Sequence, residues 1–443
     1  MKKIYFIGIG GIWVSALARY YLSEWYQVHG SDSTDSELIS KLKSEWCNII
    51  IWSDNSRIDS DYELIIHTEA IPGSHPELLR AQELSVKTLK YSEALWEIAN
   101  NYKLISVAGT HGKSTTTSLI AQVLLASSED FCAVVWTILE EFWGKNYYKQ
   151  GDKKWYFLLE ACEYKKHFLA YKPLVWAIAN IEYDHADYFK TQEEYIQAFE
   201  EFMENIRPWG FCILWEDTYS TSLIGKRLDI HYIQLKWKYF IYNSEQFPIP
   251  DFEMKVPGEH ILYDARLAYI VSHLIWVNEI NAVSALENYS GVWRRMEIIW
   301  ETKYGNILMS DYGHHPTEIQ ITLEALKKWY PDKKLFVIFQ PHQYSRTLEL
   351  LEWFQNCFTD ADRVIITNIY ASRDSESDKQ KISAESLVTK IKHSNIRYWN
   401  GLENTLKHIQ DYDSNNPNSS IILLQWAWDI DNLRYMISTK KAL

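Results

Sequence analysis

A glycine-rich segment between an apolar run and a helical pattern constrains the fold of this chain more than any other feature. Residues 104–107 form an apolar, strand-like run, residues 108–116 contain the glycines, and residues 117–125 continue as a helix-like stretch. Glycines allow backbone N–H groups to close around an anion, and the new helix adds its positive N-terminal end. Lys113 can neutralise phosphate charge and the Ser114 hydroxyl can bind Mg²⁺. The segment therefore predicts an α/β domain that binds a nucleoside triphosphate.

The loop departs from the usual phosphate-binding pattern at one position. That pattern begins with a glycine five residues before the glycine of its Gly-Lys pair, and Val107 occupies this position here. The alternative is a glycine-rich turn before an ordinary helix. The order of strand, loop and helix favours the nucleotide-binding interpretation.

Length and charge narrow the class of protein. With 443 residues, 47% of them hydrophobic, the chain is long enough for about two to four domains. The net charge of −13, with no basic stripe, argues against nucleic acid as a partner. Five cysteines without metal-type spacing indicate reduced thiols, and neither a secretion signal nor a run of about 18 apolar residues is present. We therefore expect a cytoplasmic protein with no membrane partner.

A second glycine loop lies near the start of the chain, after the strand-like residues 3–7. The loop residues expected to bind substrate are Gly8, Gly10, Gly11 and Ile12. A second strand ends in Ser31 and Asp32, about twenty residues later, where such folds contact a ribose hydroxyl. Loops of this kind bind dinucleotide cofactors or nucleotide-sugars, or are merely tight turns, and the residues leave these interpretations open.

Polar groups follow apolar strands at several further points. One run ends in Glu160, and another ends in the polar residues 180–187. Because the carboxyl ends of parallel strands meet at one edge of a sheet, beside the phosphate loop, these groups predict an Mg²⁺ site. Ionisable side chains are also concentrated in residues 293–297, 311–318 and 339–347. For each segment alone, a solvated loop or structural histidine is the commoner explanation, but their joint occurrence favours a site.

These motifs resemble those of the Mur ligase family over nearly the whole chain. The segments that carry the resemblance are residues 8–12, 108–114, 160–164, 180–187, 294–297, 311–318 and 339–347. The resemblance implies an α/β fold with three domains. These would be a Rossmann-like UDP-sugar domain over residues 1–98, a central ATP-binding domain over 99–297 and a Rossmann-like C-terminal domain over 298–443 that closes over the site.

The resemblance also implies a reaction that requires ATP and Mg²⁺. ATP would phosphorylate the lactyl carboxylate of UDP-N-acetylmuramate, and the amine of L-alanine would then attack the acyl phosphate and release phosphate. By the resemblance, this reaction would belong to peptidoglycan precursor synthesis. A ligase that adds a preformed peptide during cell-wall recycling and a non-catalytic UDP-sugar-binding relative are the alternatives. The expected assembly is a monomer or weak homodimer.

Individual roles follow from the same resemblance. Lys113 would neutralise the transferred phosphoryl group, Ser114 would bind one Mg²⁺, and Glu160 with His185 would bind another. The other nucleotide-binding residues would be Gly109, Thr110, His111, Gly112, Thr115, Asn180 and Asp311. The catalytic residues in the last part of the chain would be Arg294, His314, His315 and Arg346. The first three come from the segment that joins and opens the third domain, and Arg346 follows the end of the next strand of that domain. Near adenine the chain departs from the family pattern, because Ile261 and Asp264 replace asparagines.

Tryptophan and glycine occur in unusual numbers. The chain has 20 tryptophans, several times the roughly 1% usual, and 16 glycines, about half of the ~7% usual. Tryptophans stand where the family pattern or a turn would have glycine, at Trp13, Trp25, Trp46, Trp52, Trp136, Trp143, Trp176, Trp276, Trp300, Trp426 and Trp428. Our hypothesis is that the organism reads UGA as glycine and that the written sequence renders this codon as tryptophan. The alternative is a faithful, tryptophan-rich chain, which requires bulky side chains at turns and phosphate loops.

Overall fold

Apolar runs along the chain become buried strands, and the stretches between them become helices. The computed structural model describes residues 2–153, 155–185, 188–216, 219–371, 374–425 and 430–437. Ala186, Asp187, Trp426 and Trp428, which the sequence analysis included, lie outside the described residues. The described residues form three sheets with intervening helices, which confirms the predicted α/β class.

The N-terminal sheet is parallel throughout and has the strand order β3-β2-β1-β4-β5. Its elements are β1 (Lys3–Ile7), α1 (Ile12–Ser23), β2 (Gln27–Asp32), α2 (Glu37–Ser44), β3 (Asn48–Ile51), β4 (Tyr62–His67), α3 (Pro76–Glu83), β5 (Thr88–Lys90) and α4 (Tyr91–Ala99). Strands β2 and β4 lie on opposite sides of β1, so the strand order reverses at β1. Ligands of open parallel sheets bind at the carboxyl ends of the strands at such a reversal. The N-terminal glycine loop, residues 8–12, follows β1 and so lies at this point.

The central sheet has the order β14-β13-β12-β11-β10-β6-β9-β7-β8. Its elements and the helices that follow are β6 (Lys103–Ala108), α5 (Lys113–Leu125), β7 (Phe131–Leu139), β8 (Lys145–Gln150), β9 (Tyr156–Glu160), β10 (Val175–Ile178), α6 (Gln192–Met203), β11 (Phe211–Trp215), β12 (His231–Leu235), β13 (Tyr239–Tyr242), β14 (Glu245–Pro248), α7 (Glu259–Leu274) and α8 (Glu279–Glu287). Strand β6 lies between β9 and β10 and is parallel to both. The phosphate loop of residues 108–116 therefore emerges at a sheet edge flanked by the ends of β9 and β10.

The C-terminal sheet has the order β15-β16-β20-β17-β18-β19, with only β15 antiparallel to its neighbour among the described strands. Its elements are β15 (Glu297–Glu301), β16 (Ile307–Asp311), α9 (Pro316–Trp329), β17 (Lys334–Phe339), α10 (Tyr344–Glu349), α11 (Leu351–Phe354), β18 (Arg363–Ile366), α12 (Glu376–Lys379), α13 (Ala384–Lys390), β19 (Ile396–Tyr398), α14 (Leu402–Asn415) and β20 (Ser420–Gln425). A buried core that includes Leu308, Phe336 and Ile422 supports this sheet.

The chain divides into two compact units. The first comprises Met1–Glu182, Ile196–Phe252 and Ala265–Leu286, and it contains the N-terminal and central sheets. The second comprises Tyr183–Tyr195, Glu253–Asp264 and Glu287–Leu443, and it contains the C-terminal sheet. The domain joins expected near residues 98 and 298 remain predictions. Among the described helices, none has both the length and the apolar character needed to cross a bilayer.

The tryptophans expected at glycine positions fall into two groups. Trp25, Trp46, Trp52, Trp143 and Trp276 have left-handed backbone conformations. The others that the structure describes lie in regular elements, at Trp13 in α1, Trp136 in β7, Trp176 in β10 and Trp300 in β15. Because these four tryptophans lie in helices or strands, a turn does not account for a glycine at their positions.

Candidate active site

The loop after β6 packs closely against the segment after β10. Gly109 and Gly112 have φ angles of 136° and 78°, which side-chain-bearing residues rarely adopt. A Cβ on Gly109 would lie 2.9 Å from the backbone oxygen of Asn180. Helix α5 begins immediately afterwards at Lys113, and the buried Ser114 and Thr115 occupy its first turn. The first-turn amides of a helix have no partner within the helix and favour an anion.

Lys113 is held in the loop by carbonyl oxygens and a carboxylate. Its Nζ donates to the carbonyl oxygens of Gly109 and Thr110 and lies 3.1 Å from a carboxylate oxygen of Glu163. Burial lowers the pKa of Lys113, but the surrounding acidic groups, led by the carboxylate of Glu163 and including Glu160, together outweigh burial and leave the pKa above its usual value. The side chain is therefore a cation.

Glu160 ends β9 beside the start of α5, as its position at the end of an apolar run predicts. The Ser114 hydroxyl donates to Glu160 Oε2 at 3.0 Å, and the backbone N–H of Trp136 donates to Oε1 at 3.0 Å. A buried hydroxyl and a buried carboxylate thus lie next to the phosphate loop. Mg²⁺ prefers such oxygen ligands and is held by one or two carboxylates together with phosphates, so Ser114 and Glu160 fit the ion.

Asn180 connects the end of β10 to the phosphate loop. Its Oδ1 accepts from the backbone N–H of His111, and its Nδ2 donates to the His111 carbonyl oxygen, both at 3.0 Å. The His111 ring lies 3.1 Å from a Glu182 carboxylate oxygen, and the Thr110 hydroxyl donates to the Glu182 carbonyl oxygen at 2.5 Å. Asn180 therefore fixes the backbone of the loop.

The N-terminal glycine loop, residues 8–12, is hydrogen-bonded to the end of β2. The Gly10 N–H donates to Asp32 Oδ2, and the Gly8 N–H donates to the Ser31 carbonyl oxygen, each at 2.8 Å. The Ser31 hydroxyl donates at 2.6 Å to Glu77, a fully buried carboxylate. The Gly11 and Ile12 carbonyls accept from the Ser15 N–H and from the Asn146 amide. The residues expected to bind substrate thus form a loop between β1 and α1 that is bonded to the end of β2, and their contacts with a UDP-sugar remain a prediction.

In the second unit, Arg346 pairs with a carboxylate that the sequence analysis did not single out. One guanidinium nitrogen of Arg346 lies 2.9 Å from each carboxylate oxygen of Asp184. Burial raises the pKa of Asp184, but the positive groups around it, led by Arg346, together outweigh burial and hold the pKa well below its usual range. His185 follows directly, with a φ of 57°. Its expected role as a metal ligand with Glu160, which belongs to the first unit, remains a prediction.

The two histidines before α9 differ in their surroundings. His315 is fully buried and caps α9: its Nδ1 accepts from the Thr317 N–H at 3.3 Å, while Glu318 accepts from the His315 N–H at 3.1 Å. Burial, reinforced by the charge of Arg346, lowers the pKa of His314 well below its usual value. His314 is therefore neutral at physiological pH, and the cap role shows that His315 also stabilises the fold.

Arg294 and Asp311 lie in a buried polar network of the second unit. Arg294 lies 2.7 Å from Asp431, which in turn accepts from the Ser310 hydroxyl at 3.0 Å. Asp311 accepts from the backbone N–H groups of Met296 and Gly313, both at 2.9 Å. These contacts hold the segment around residues 294–313 in shape. The expected actions of Arg294 and Asp311 on substrate or nucleotide remain predictions.

Sequence reasoning did not single out four carboxylates that the structure places beside predicted site residues. They are Glu163 on Lys113, Glu182 on His111, Asp184 on Arg346 and Asp431 on Arg294. Glu163, Glu182 and Asp184 lie within three residues of a predicted site residue, which was a usable signal. Asp431 lies 137 residues from Arg294, and no local pattern indicates that pair.

Family models match three successive parts of the chain. The model described as "Mur ligase family, catalytic domain" matches residues 3–103, "Mur ligase middle domain" matches 107–271, and "Mur ligase, glutamate ligase domain" matches 294–423. The chain belongs to the Mur ligase family. Like other Mur ligases, it is an ATP-dependent enzyme that forms amide bonds.

Curated relatives and solved structures agree with this membership in the Mur ligases. The UDP-N-acetylmuramate--L-alanine ligase of Alkaliphilus metalliredigens is 35% identical over 461 residues, covering 100% of this chain and 98% of its own. The enzyme of the same name from Clostridium novyi is 35% identical over 416 residues, covering 89% and 88%. The UDP-N-acetylmuramate-alanine ligase structure from Thermotoga maritima has a TM-score of 0.77 at 23% identity, covering 98% of both chains. A murein peptide ligase from Psychrobacter arcticus has a TM-score of 0.72 at 19% identity with the same coverage, so these two structures establish the shared fold alone.

Proposed function

We propose that this Mur ligase joins L-alanine to the lactyl carboxylate of UDP-N-acetylmuramate, using ATP, in peptidoglycan precursor synthesis. The observation that carries the proposal is the grouping of Lys113, Ser114 and Glu160 at adjacent strand ends of the central sheet. Such a grouping suits the activation of a carboxylate by phosphoryl transfer. The choice of substrates is supported by relatives of that name at 35% identity over 89 to 100% of the chain.

The side chains of the first unit have distinct tasks in the proposed reaction. The loop amides and the first turn of α5 bind the ATP phosphates, and Lys113 balances charge on the transferred phosphoryl group. The lactyl carboxylate oxygen bonds to the γ-phosphorus as the bond to ADP breaks. The amine of L-alanine then bonds to the acyl carbon, loses a proton, and displaces inorganic phosphate. When bound, the Mg²⁺ expected on Ser114 and the second Mg²⁺ expected on Glu160 with His185 would neutralise phosphate and carboxylate charge.

The second unit is proposed to supply groups for substrate and nucleotide. Arg294 and Arg346 carry fixed positive charge suited to phosphate or carboxylate. His314, which is neutral, can donate or accept a hydrogen bond or a proton. His315 and Asp311 organise the same segment, through the α9 cap and the bonds to Met296 and Gly313.

The test is ADP release by protein purified from the cells that make it, supplied with ATP, Mg²⁺ and UDP-N-acetylmuramate. Addition of L-alanine should stimulate release strongly, and glycine or L-serine should do so less. Release that depends instead on a preformed peptide would identify a recycling ligase. Tight binding of the UDP-sugar with no ATP turnover under any condition would identify a non-catalytic relative. Either result overturns the proposal.

A further inference from the structure

Six tryptophans have a backbone conformation that favours glycine. They are Trp25 (φ 64°), Trp46 (φ 76°), Trp52 (φ 74°), Trp143 (φ 53°), Trp209 (φ 63°) and Trp276 (φ 63°). A positive φ is uncommon for any residue other than glycine, and for a bulky residue it is an outlier that needs a cause. Trp209 was not among the positions that the sequence alone indicated.

Three of the six end helices in the same way. Trp25, Trp46 and Trp276 each stand one residue past the helix cap of α1, α2 and α7, respectively. In each case the tryptophan N–H and the next N–H bond back to the last turn of the helix. The bonds are Trp25 to Leu22 at 3.1 Å and Tyr26 to Tyr21 at 3.0 Å, Trp46 to Lys43 at 3.2 Å and Cys47 to Leu42 at 3.0 Å, and Trp276 to His273 at 3.3 Å and Val277 to Ser272 at 3.0 Å. This is the Schellman motif, whose left-handed residue is usually glycine.

The other three left-handed tryptophans lie in turns held by backbone hydrogen bonds. Trp52 donates to the Asp32 carbonyl oxygen at 2.7 Å, Trp143 to that of Glu140 at 2.8 Å, and Trp209 to that of Asp229 at 2.7 Å. The backbone of each turn is therefore fixed by bonds that any residue can make. Nothing in these bonds requires an aromatic side chain.

Packing does not explain the six indoles either, although the Trp143 ring lies 5.4 Å from that of Tyr148 and the Trp209 ring 6.2 Å from that of His231, centroid to centroid. Their exposed fractions are 71 to 90%, whereas Trp353, the next most exposed tryptophan among the described residues, is 53% exposed. A tryptophan normally contributes through buried area. At these positions it combines an unfavourable backbone with almost complete exposure, and glycine removes both disadvantages.

We propose that the functional protein has glycine at these six positions, encoded by UGA codons that the organism reads as glycine. The conformational evidence is independent of the composition that suggested the idea. The proposal also explains the composition, because each replacement of a tryptophan by glycine lowers the count of 20 tryptophans and raises the count of 16 glycines.

The proposal extends to two positions in the site, and this extension rests on the proposed function. The Trp13 ring, in the first turn of α1 after the glycine loop, lies 4.6 Å from the Trp136 ring, centroid to centroid. The backbone N–H of Trp136 bonds to Glu160. The two tilted rings therefore lie between the start of α1, after the glycine loop, and the strand residue whose backbone is bonded to the predicted metal ligand. A substrate with its diphosphate on the loop and its carboxylate near Glu160 needs that space, which glycines at 13 and 136 would open.

The decisive experiment is tandem mass spectrometry of the protein purified from its own cells. The tryptic peptide 44–57 contains both Trp46 and Trp52, so a single fragment spectrum reads two of the six positions. Glycine at both positions is expected. Tryptophan at either position overturns the proposal for that position, and with it the idea that one cause, UGA read as glycine, accounts for all six. The result does not depend on any activity, so it stands even if the substrate assignment fails.

A recombinant comparison tests the conformational argument separately. The chain with all six tryptophans replaced by glycine (Trp25→Gly, Trp46→Gly, Trp52→Gly, Trp143→Gly, Trp209→Gly and Trp276→Gly) should unfold at least about 5 °C higher than the chain as written. The matched control is Trp329→Gly, an exposed tryptophan in the last turn of α9, where glycine should not raise the midpoint. Equal or lower stability of the six-glycine chain would overturn the argument from backbone strain. For the site, adding Trp13→Gly and Trp136→Gly should raise the affinity for UDP-N-acetylmuramate at least about tenfold, and unchanged affinity would overturn that extension.

Discussion

Lys113 carries its charge in a largely buried place, and its neighbours compensate for the loss of water. The side chain is 14% exposed and the Glu163 side chain is not exposed at all, so the pair is buried together. Removing one partner of a buried pair is costly because the other charge is left uncompensated. The carbonyl oxygens of Gly109 and Thr110 complete the surroundings of the ammonium group. A phosphate oxygen would compete with these neutral oxygens for the lysine, and its negative charge favours it.

Replacing this lysine should abolish most of the catalysis. We expect Lys113→Ala to lower kcat for ADP release by at least about 10³-fold, because a preorganised cation at the transferred phosphoryl group is lost. The control is Lys226→Ala, which removes a half-exposed ion pair with Glu200 and should leave the rate within about twofold. Undiminished catalysis by Lys113→Ala would contradict the electrostatic basis of the proposed function.

The Asp184–Arg346 pair gives a pH-dependent prediction. The pKa of Asp184 in the folded state is well below its usual value, so the pair stabilises the protein at neutral pH. This contribution begins to decline as the pH falls below about 4, the usual pKa of an aspartate, and is lost as the pH falls through the lower pKa of the folded state. Arg346→Gln should lower the free energy of unfolding by about 3–5 kcal/mol at pH 7. Urea denaturation at several pH values should show the difference from wild type shrinking toward acid pH. A difference that is constant between pH 7 and pH 3.5 would mean that charge pairing is not its cause.

At the scale of elements, the sequence patterns predicted strand ends well and side-chain partners poorly. The glycine loop between β6 and α5, the end of β9 at Glu160 and the position of Asn180 after β10 are confirmed, because apolar runs and glycines encode them locally. The pairing of Arg294 with Asp431 could not be predicted, since it depends on how distant segments pack. Left-handed Trp209 was also missed, because its turn is closed by Asp229, twenty residues away.

The link between β10 and the phosphate loop can be tested through Asn180. We expect Asn180→Ala to raise KM for ATP about tenfold with a smaller change in kcat, because the His111 N–H and carbonyl lose the two bonds that fix the loop. Asn101→Ala is a suitable control, since the exposed Asn101 amide donates to the Glu97 carbonyl oxygen on the surface in the part of the chain that the structure describes. A large fall in kcat at unchanged KM would instead indicate direct contact with the reacting groups.

At the scale of the whole molecule, a buried network joins the N-terminal and central sheets within the first unit. Arg19 on α1 is almost fully buried and makes two bonds of 2.9 Å to Glu45 at the end of α2. It also donates to Asn146 on β8, whose amide donates to the Ser15 hydroxyl at 2.9 Å and to the Ile12 carbonyl oxygen. The residues that start α1 after the glycine loop are thus held directly by the central sheet.

Breaking this network should affect stability and substrate affinity together. We expect Arg19→Ala to lower the free energy of unfolding by about 3–5 kcal/mol, since Glu45 and Asn146 lose a buried partner. KM for the UDP-sugar should rise while KM for ATP changes little, as measured by ADP release. Lys145→Ala is the matched control, because Lys145 contacts the same carboxylate of Glu45 at 3.4 Å from a more exposed position. Equal effects of the two substitutions would show that the buried guanidinium of Arg19 is not what holds the N-terminal and central sheets together.

The left-handed tryptophans make the protein's intrinsic light emission informative. Indoles in contact with water emit at longer wavelengths than indoles inside a protein, and six of those in the written chain are 71 to 90% exposed. A recombinant copy of the written chain should therefore show red-shifted fluorescence, with a large part that added iodide quenches. Material from the original cells should emit more weakly and further to the blue. A cuvette measurement on a few micrograms would thus distinguish the two polypeptides before any peptide is sequenced.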